Sequence, residues 1–218
     1  MQKLYSEFAA ALDNLDRESA VMLCLTALDR QEIGIEQLYL EILTPALNRL
    51  VFPEEEQDSM IWREHMQSAI VRAVIESSYP YVLRARNEKP SEVANGSQRS
   101  VLIFCPEEEQ HDMGARMVLD FYTIAGYKTY YLGARTPILT LINALKQLRP
   151  QTVVISITNS FNLFAAKRTV TRIRSELDYP VELLAGGSAC SGTPDSCASL
   201  GVDGILSDLL QIKNDEEA

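Results

Sequence analysis

The chain has 218 residues and carries 30 acidic against 20 basic side chains, which gives a formal net charge of −10. This length allows one large domain or two modest ones, and the charge, without any dense Lys/Arg cluster, argues against direct binding to nucleic acid. The sequence contains neither a signal-peptide core nor a run of about 18 apolar residues, so we expect a cytoplasmic protein that does not span a membrane.

Residues 1–85 carry apolar side chains at helical spacing, as Phe8 and Leu12 illustrate. Residues three and four positions apart share one face of a helix, so this spacing predicts a helical domain of roughly three to five helices. Pro45 predicts a kink, and Pro80 predicts the end or a bend of the last long helix, because proline has no N–H to donate.

Residues 86–99 are polar and rich in Asn, Ser, Gly and Pro. Such a composition is typical of linkers, so we place a domain boundary there. The second domain is predicted over residues 100–212, and residues 213–218 are predicted to form an acidic tail.

Within residues 100–212, short apolar runs alternate with helical stretches. The predicted strands are VLIFC, KTYYL, TVVISI and VELLA, and DGILSD suggests a fifth. Near-continuous apolar strands that are separated by helices are typical of a parallel sheet covered on both faces. We therefore expect an α/β protein with a helical N-terminal domain and a five-stranded, Rossmann-like or flavodoxin-like parallel sheet.

The four cysteines lie among apolar or small residues and form no CxxC pair; they are Cys24, Cys105, Cys190 and Cys197. No histidine lies close enough in the sequence to complete a zinc site. We expect all four to be buried free thiols.

In a parallel sheet, ligands bind outside the carboxyl ends of the strands, so the loops that follow the strands are the candidates. The loop after the first strand holds His111, one of only two histidines in the chain. It lacks the glycines of a phosphate-binding loop, and its carboxylates would repel a pyrophosphate. His111 suits either a metal ligand, with Glu109 holding its second ring nitrogen, or an ordinary surface histidine. Asp112 suits either a partner in this site or a plain helix N-cap.

These loops resemble those of the cobalamin-binding domain family, which includes methionine synthase, corrinoid methyl carriers and cobalamin-dependent light sensors. The family's DxHxxG signature has its counterpart from Glu109 to Gly114, with glutamate in place of the first aspartate. Its later signatures are similar to Tyr131-Leu132-Gly133-Ala134, Ser156-Ile157-Thr158 and Gly186-Gly187. The resemblance covers roughly residues 100–210.

The resemblance implies bound cobalamin in the base-off, His-on form, with His111 as the lower axial cobalt ligand and Glu109 as its orienter. Asp112 is implied to belong to the same site. Glycines would leave room for the dimethylbenzimidazole tail of the cofactor and hydroxyl groups would bind it; these residues are Gly114, Gly133, Gly186, Gly187, Ser156, Thr158 and Ser160.

The resemblance also implies that the N-terminal helices form a cap over the upper face of the corrin. Trp62, Glu64 and His65 are the corresponding cap residues, and His65 is a candidate ligand on the upper face of cobalt. The alternative for His65 is a histidine at the edge of the helical core. A tryptophan that the family carries earlier in the cap has no counterpart, since Glu54 stands at its place.

In function, the resemblance implies a cobalamin-binding sensor or regulator, in one version a photoreceptor, that acts through a protein partner. No helix-turn-helix or basic region precedes the cap, so we expect any effect on transcription to be indirect. The alternatives are a corrinoid methyl-carrier subunit of a methyltransferase system and a sensor that holds haem or another tetrapyrrole. Ala115-Arg116 stands where carriers usually have Lys-Asn, which favours the sensor. No catalytic residue is assigned, and the adenosyl, methyl or hydroxo form of the cofactor and assembly into a homo-oligomer are left open.

Overall fold

The computed structural model describes residues 1–50, 54–88, 98–192, 194–206 and 212. The chain divides into two compact units, Met1–Glu88 and Lys89–Ala218. The first unit is helical and the second contains the sheet. Among the described residues, no helix is both long and apolar enough to cross a membrane.

Helices make up most of the first unit. They are α1 (Gln2–Asp13), α2 (Arg17–Asp29), α3 (Ile35–Gln37), a π-helical turn (Leu38–Leu43), α4 (Thr44–Asn48), α5 (Glu54–Ser77) and α6 (Tyr79–Glu88). The predicted apolar face of α1 is buried, because Phe8 and Leu12 are 0% and 2% exposed. The Asp16 carboxylate caps α2 by accepting a hydrogen bond from the Ser19 N–H at 3.0 Å. The long helix α5 ends just before Pro80, as predicted.

The π-helical turn lies where the sequence predicts a kink. It ends directly before α4, whose Pro45 has no N–H to donate, so the hydrogen-bond register changes beside the proline. The Thr44 hydroxyl donates to the Tyr39 carbonyl at 2.8 Å across this change. Leu38 and Ile42 are fully buried. The widened turn therefore still presents its apolar side chains to the helical core.

The second unit is built on a five-stranded parallel sheet with the strand order β2-β1-β3-β4-β5. The strands are β1 (Ser100–Phe104), β2 (Lys128–Gly133), β3 (Thr152–Ser156), β4 (Glu182–Gly186) and β5 (Gly204–Leu206). The helices are α7 (Met113–Ile124), α8 (Ile138–Leu148), α9 (Leu163–Glu176), α10 (Ser188–Gly192) and α11 (Pro194–Ala198), with a 3₁₀ turn over Ser160–Asn162. The predicted fold class is confirmed, including the short fifth strand.

The central strands are buried, as their apolar runs predict. Every residue of β1 and β3 is inaccessible or nearly so. Leu102 and Phe104 of β1 share a core cluster with Leu141, Leu145 and Val170 from α8 and α9. Full burial of a side chain of this size contributes about 1.5–3 kcal/mol. The well-packed sheet therefore holds the loops at its carboxyl edge in fixed positions.

The predicted linker is wrong at its start. Helix α6 continues through Glu88, so residues 86–88 are helical rather than linking. The first strand begins at Ser100, one residue before the predicted run VLIFC. Residues 89–97 and the predicted acidic tail at 213–218 lie outside the described residues.

The prediction of four free thiols is wrong for Cys190 and Cys197, which form a disulfide with their Cα atoms 5.3 Å apart. The short helices α10 and α11 pack on each other and bring the two residues together, which no local sequence pattern indicates. Cys24 and Cys105 are free and buried. Burial raises the pKa of each of these two thiols to about 12, so both stay protonated at neutral pH.

Candidate functional site

The loops after β1 and β3 meet at the carboxyl edge of the sheet. The two strands are neighbours, yet β2 lies on the outer side of β1 and β4 lies on the outer side of β3. This reversal of direction opens the crevice in which sheets of this kind bind ligands. Glu109 and His111 lie in the loop after β1, and Thr158 and Asn159 lie in the loop after β3.

The Glu109 side chain is fully buried and joins the two loops. Its Oε2 accepts hydrogen bonds from the N–H groups of Thr158 and Asn159 and from Nδ2 of Asn162, each at 2.9 Å. Its Oε1 accepts one from the His111 N–H at 3.0 Å and one from His111 Nδ1 at 2.6 Å. A buried carboxylate is stable only where hydrogen bonds replace its hydration, and these donors do so.

These hydrogen bonds decide the charge of Glu109. Burial alone would raise its pKa, but the hydrogen bonds from His111, Asn159 and Asn162 outweigh burial and lower the pKa from 4.5 to about 2. Glu109 is therefore ionised at neutral pH. An ionised carboxylate can only accept, so the proton between the two groups resides on Nδ1 of His111. In the neutral imidazole, the lone pair then lies on Nε2, which is the form that a metal binds.

The imidazole of His111 is partly exposed to solvent, whereas the carboxylate of Glu109 is buried. The His111 side chain is 50% exposed, against 0% for Glu109. Backbone hydrogen bonds hold the loop, since the Glu109 N–H donates to the Pro106 carbonyl and the Arg135 N–H, from the loop after β2, donates to the Glu109 carbonyl, both at 2.8 Å. The Cys105 thiol donates to the His111 carbonyl at 3.7 Å. These hydrogen bonds hold the loop that carries the exposed His111 ring.

Asp112 stands at the N-cap position of α7 but makes no side-chain cap hydrogen bond. Its Oδ2 accepts a hydrogen bond from the Tyr131 hydroxyl at 2.9 Å and forms an ion pair with Nε of Arg116 at 3.2 Å. The Arg116 guanidinium also lies over the Tyr131 ring, 5.1 Å from its centre. Burial, and then the negative charge of Asp112, raises the pKa of Tyr131, so its hydroxyl remains a donor. The interpretation of Asp112 as a plain cap is therefore wrong.

The four predicted glycines lie at the carboxyl edge but have different surroundings. Gly187 has φ +101° and a Cβ there would lie 2.3 Å from the Ile157 carbonyl oxygen, so the packing of the protein itself excludes a side chain. Gly133 has φ +91°, and Gly186 closes β4. A Cβ on Gly114 would meet nothing within 4 Å. The open space three residues after His111 is therefore available to a ligand.

The predicted hydroxyl residues are also placed differently from one another. Ser156 is buried at the end of β3. Thr158 takes part through its backbone, because its N–H donates to Glu109 and its carbonyl accepts from the Ser188 hydroxyl at 2.9 Å. Ser160 is exposed and begins the 3₁₀ turn. The structure thus joins Thr158 to the Glu109–His111 pair directly.

Sequence reasoning missed Asn159, Asn162 and Tyr131 as members of this site. The first two hold Glu109, which is 50 and 53 positions earlier in the chain. An asparagine after a strand is a common turn residue, so neither position carries a local signal. A general rule could have indicated them: a buried carboxylate needs hydrogen-bond donors, and the loop after the neighbouring strand is the place from which they can come.

In the first unit, Glu64 and His65 lie next to each other on α5. Nδ1 of His65 is 2.6 Å from Oε2 of Glu64, and the Ser68 hydroxyl donates to the Glu64 carbonyl at 2.7 Å. His65 is not in the core of this unit, since 67% of its side chain is exposed. Trp62 and Met66 are exposed as well. The helix therefore displays large apolar side chains beside a histidine that is paired with a carboxylate.

The described side chains of the second unit offer few metal ligands close to one another. Within the described ranges, no three His, Cys, Asp or Glu side chains come together as a metal site. A bare ion needs several protein ligands, whereas His111 offers a single oriented imidazole. That imidazole suits a metal that brings its own macrocycle and takes one axial nitrogen from the protein. The open space at Gly114 is compatible with such a cofactor.

Comparisons with known proteins agree with this chemistry. Residues 99–208 match the family model of the B12 binding domain. The HTH-type transcriptional repressor CarH of Myxococcus xanthus is 28% identical to the chain over 162 residues, which are 74% of this chain and 50% of that protein. The chain thus spans about half the length of this curated relative.

Solved structures with the same fold include corrinoid proteins. The monomethylamine corrinoid protein of Methanosarcina barkeri superposes with a TM-score of 0.79 at 15% identity, covering 99% of this chain and 97% of that one. A cobalamin-binding protein from Desulfitobacterium hafniense DCB-2 superposes with a TM-score of 0.50 at 16% identity, covering 100% and 98%. At such identities the likeness is one of fold.

Proposed function

Because the chain belongs to the B12-binding domain family and so binds cobalamin, we propose that it is a sensory or regulatory protein in which His111 is the lower axial ligand of cobalt. The observation that carries the assignment of His111 is its 2.6 Å hydrogen bond to the buried Glu109 carboxylate. This contact fixes the ring and its tautomer before any ligand arrives. A ring that is already oriented loses little freedom on binding a metal.

The residues of the chain would divide the work as follows. His111 would supply one nitrogen to cobalt, and Glu109, by accepting from Nδ1, would keep the opposite ring nitrogen protonated and make the imidazole a stronger donor. The space at Gly114 admits the cofactor tail, and Ser156, Thr158 and Ser160 are the proposed tail-binding hydroxyl residues. When bound, cobalamin supplies a cobalt centre whose upper ligand can be exchanged or removed by light.

We propose that the exposed face of α5 also takes part in holding the cofactor. The basis is the exposed apolar face of α5 and the pairing of His65 with Glu64. Trp62 would pack on the corrin, and His65, paired with Glu64, is the proposed further cofactor-binding residue. A protein partner would then respond to whether cobalamin is bound.

Two features favour regulation over methyl transfer. Arg116 stands where carriers usually have asparagine, and here it is committed to an ion pair with Asp112. The similarity to a transcriptional repressor also extends over 74% of the chain. The carrier is retained as a second candidate, because the fold matches a corrinoid protein over nearly the full length of both chains.

The ligand assignment is tested by mixing the protein with excess cobalamin in the dark, removing unbound cofactor and recording the ultraviolet-visible spectrum. We expect retained corrinoid bands for the wild type and for Glu107→Gln, an exposed control in the same loop. His111→Ala should retain about tenfold less cofactor or show the spectrum of the cofactor without the histidine ligand. Identical spectra for His111→Ala and the wild type would rule out this role.

A second measurement separates the sensor from the carrier. For a light sensor, gel filtration before and after illumination of the loaded protein should show a change in its assembly or in its binding of a partner. For a carrier, the loaded protein should exchange its methyl group in the dark with a methyltransferase. Bands typical of haem in the protein as purified would instead indicate another tetrapyrrole.

A further inference from the structure

Two phenylalanines beside the site are almost completely exposed. Phe161 lies in the 3₁₀ turn after β3 and Phe164 in the first turn of α9, and their exposed fractions are 87% and 73%. Leaving two such rings in water forgoes the stabilisation that burial of an aromatic side chain provides. Adjacent exposed apolar side chains on a folded surface commonly mark a place where a partner binds.

Cations follow the two rings along the same helix. Lys167, Arg168 and Arg172 are exposed and, together with Phe164, line a shallow groove of about 310 Å³ along α9. Within α9, residues three, four and eight positions after Phe164 lie on the same side of the helix, and Phe161 lies three residues before Phe164 in the adjoining turn. We define the α9 face as Phe161, Phe164, Lys167, Arg168, Thr171 and Arg172.

The sign of the charge on this face is opposite to that of the chain as a whole, which is −10. From Leu163 to Ser175 the sequence contains four basic residues and no acidic one. Arg172 shares Glu176 with Lys146, so the acid at the helix end compensates only part of this charge. The net negative charge opposes approach of a nucleic acid, whereas a local basic groove with apolar rings complements a peptide that is acidic and apolar.

We propose that the α9 face binds an acidic segment of a protein partner whose apolar side chains cover Phe161 and Phe164. This proposal rests on one part of the proposed function, namely that the protein acts through a protein partner. The N–H of Phe161 donates to Asn159 Oδ1 at 3.0 Å, and the N–H of Asn159 donates to Glu109. The docking face therefore begins on the same turn that holds the His111 orienter, so a bound partner lies beside the cofactor loop.

The test uses the full chain and a fluorescein-labelled peptide in which leucines recur at i, i+3 and i+7 and the other positions are glutamate or aspartate. Fluorescence anisotropy should show binding that weakens as salt is added. The double variant Lys167→Glu/Arg168→Glu should bind at least about tenfold more weakly. Its matched control is Lys3→Glu/Arg17→Glu, which makes the same change in net charge on exposed residues of the first unit and should leave binding unchanged.

The apolar part is tested separately. Phe164→Ser should weaken peptide binding about tenfold, because the ring no longer covers the leucines, while Leu139→Ser, at an equally exposed position of α8, should not. Cobalamin binding, followed by the spectrum, should survive in every one of these variants. Retained corrinoid bands with lost peptide binding thus separate this proposal from the proposed function.

Three results would overturn the proposal. The first is equal binding of the acidic peptide to the wild type and to Lys167→Glu/Arg168→Glu. The second is tighter binding of a short DNA duplex than of the peptide, which would make the face a nucleic-acid site. The third is a dimer in sedimentation that only the α9 variants dissolve, which would make a second copy of the chain the occupant.

Discussion

At the scale of single residues, Glu109 is the side chain on which the site depends most. Five hydrogen bonds reach its two oxygens, and all five need an acceptor. Glu109→Gln places an NH₂ group against some of these donors, and an unsatisfied buried donor costs about 1–3 kcal/mol. We expect a loss of about 2–4 kcal/mol in the free energy of unfolding by urea, whereas the exposed Glu108→Gln should change little.

The lowered pKa of Glu109 also predicts how the stability of the protein depends on pH in acid. Its pKa falls from 4.5 to about 2 on folding, so its contribution is complete above pH 4.5 and is lost as the pH falls towards 2. The shift corresponds to about 3 kcal/mol. Urea unfolding measured from pH 5 downwards should show this loss in the wild type and a flatter dependence in Glu109→Gln. Parallel slopes would contradict the assignment of the acid sensitivity to Glu109.

Single residues also show where sequence reasoning succeeds and where it fails. The contact of Glu109 with His111 was predictable, because residues two apart in an extended loop turn their side chains to the same side. The donors of Asn159 and Asn162 were not, since the contact exists only after β1 and β3 pair. The disulfide between Cys190 and Cys197 was missed for a similar reason, because two unpredicted short helices create it.

At the scale of elements, two glycines should respond in opposite ways to the same substitution. Gly187→Ala puts a Cβ 2.3 Å from a backbone oxygen at positive φ and should cost more than about 2 kcal/mol. Gly114→Ala meets nothing within 4 Å in α7 and should stabilise the cofactor-free chain by up to about 1 kcal/mol. Thermal unfolding measures both effects.

Gly114→Ala carries a second expectation. Since we propose that the cofactor tail enters the space beside Gly114, the added methyl group should weaken retention of cobalamin while the protein itself is more stable. An alanine variant that binds as tightly as the wild type would place the tail elsewhere.

The disulfide ties α10 to α11 directly after the glycines that end β4. Its partners are seven positions apart, and closing so short a loop contributes about 2.5 kcal/mol in the chain-entropy description. Dithiothreitol should therefore lower the unfolding temperature of the wild type to that of Cys190→Ser/Cys197→Ser. The reductant should have no effect on the double variant, because Cys24 and Cys105 are free thiols already.

The elements of the sheet were predictable to a greater extent than those of the helical unit. Buried parallel strands read as uninterrupted apolar runs, and β1 and β3 follow this pattern fully. The π-helical turn at Leu38–Leu43 was not predictable, because the same four-residue spacing suits an ordinary helix. The linker was predicted to start too early, because polar residues also occur on the exposed side of a helix such as α6.

At the scale of the whole molecule, the cofactor should act as a stabiliser. A ligand that binds only the folded protein adds about 2.7 kcal/mol to the free energy of unfolding when present at 100 times its Kd. We expect cobalamin to raise the unfolding temperature of the wild type in the dark and to raise that of His111→Ala less. His65→Ala should keep most of the increase if His111 is the principal ligand, and an increase that is equal in all three proteins would contradict this order of importance.

The Glu109 carboxylate accepts hydrogen bonds from two loops. We therefore expect the residues at the two ends of this contact to co-vary among relatives. A glutamate reaches one methylene further than the aspartate of the family signature, and its Oε2 accepts a hydrogen bond from Nδ2 of Asn162 at 2.9 Å. In an alignment of relatives, glutamate at 109 should therefore occur with asparagine at 162, and aspartate at 109 with a residue that donates no hydrogen bond there. Relatives that carry glutamate at 109 without asparagine at 162 would contradict this expected pairing of two positions 53 residues apart.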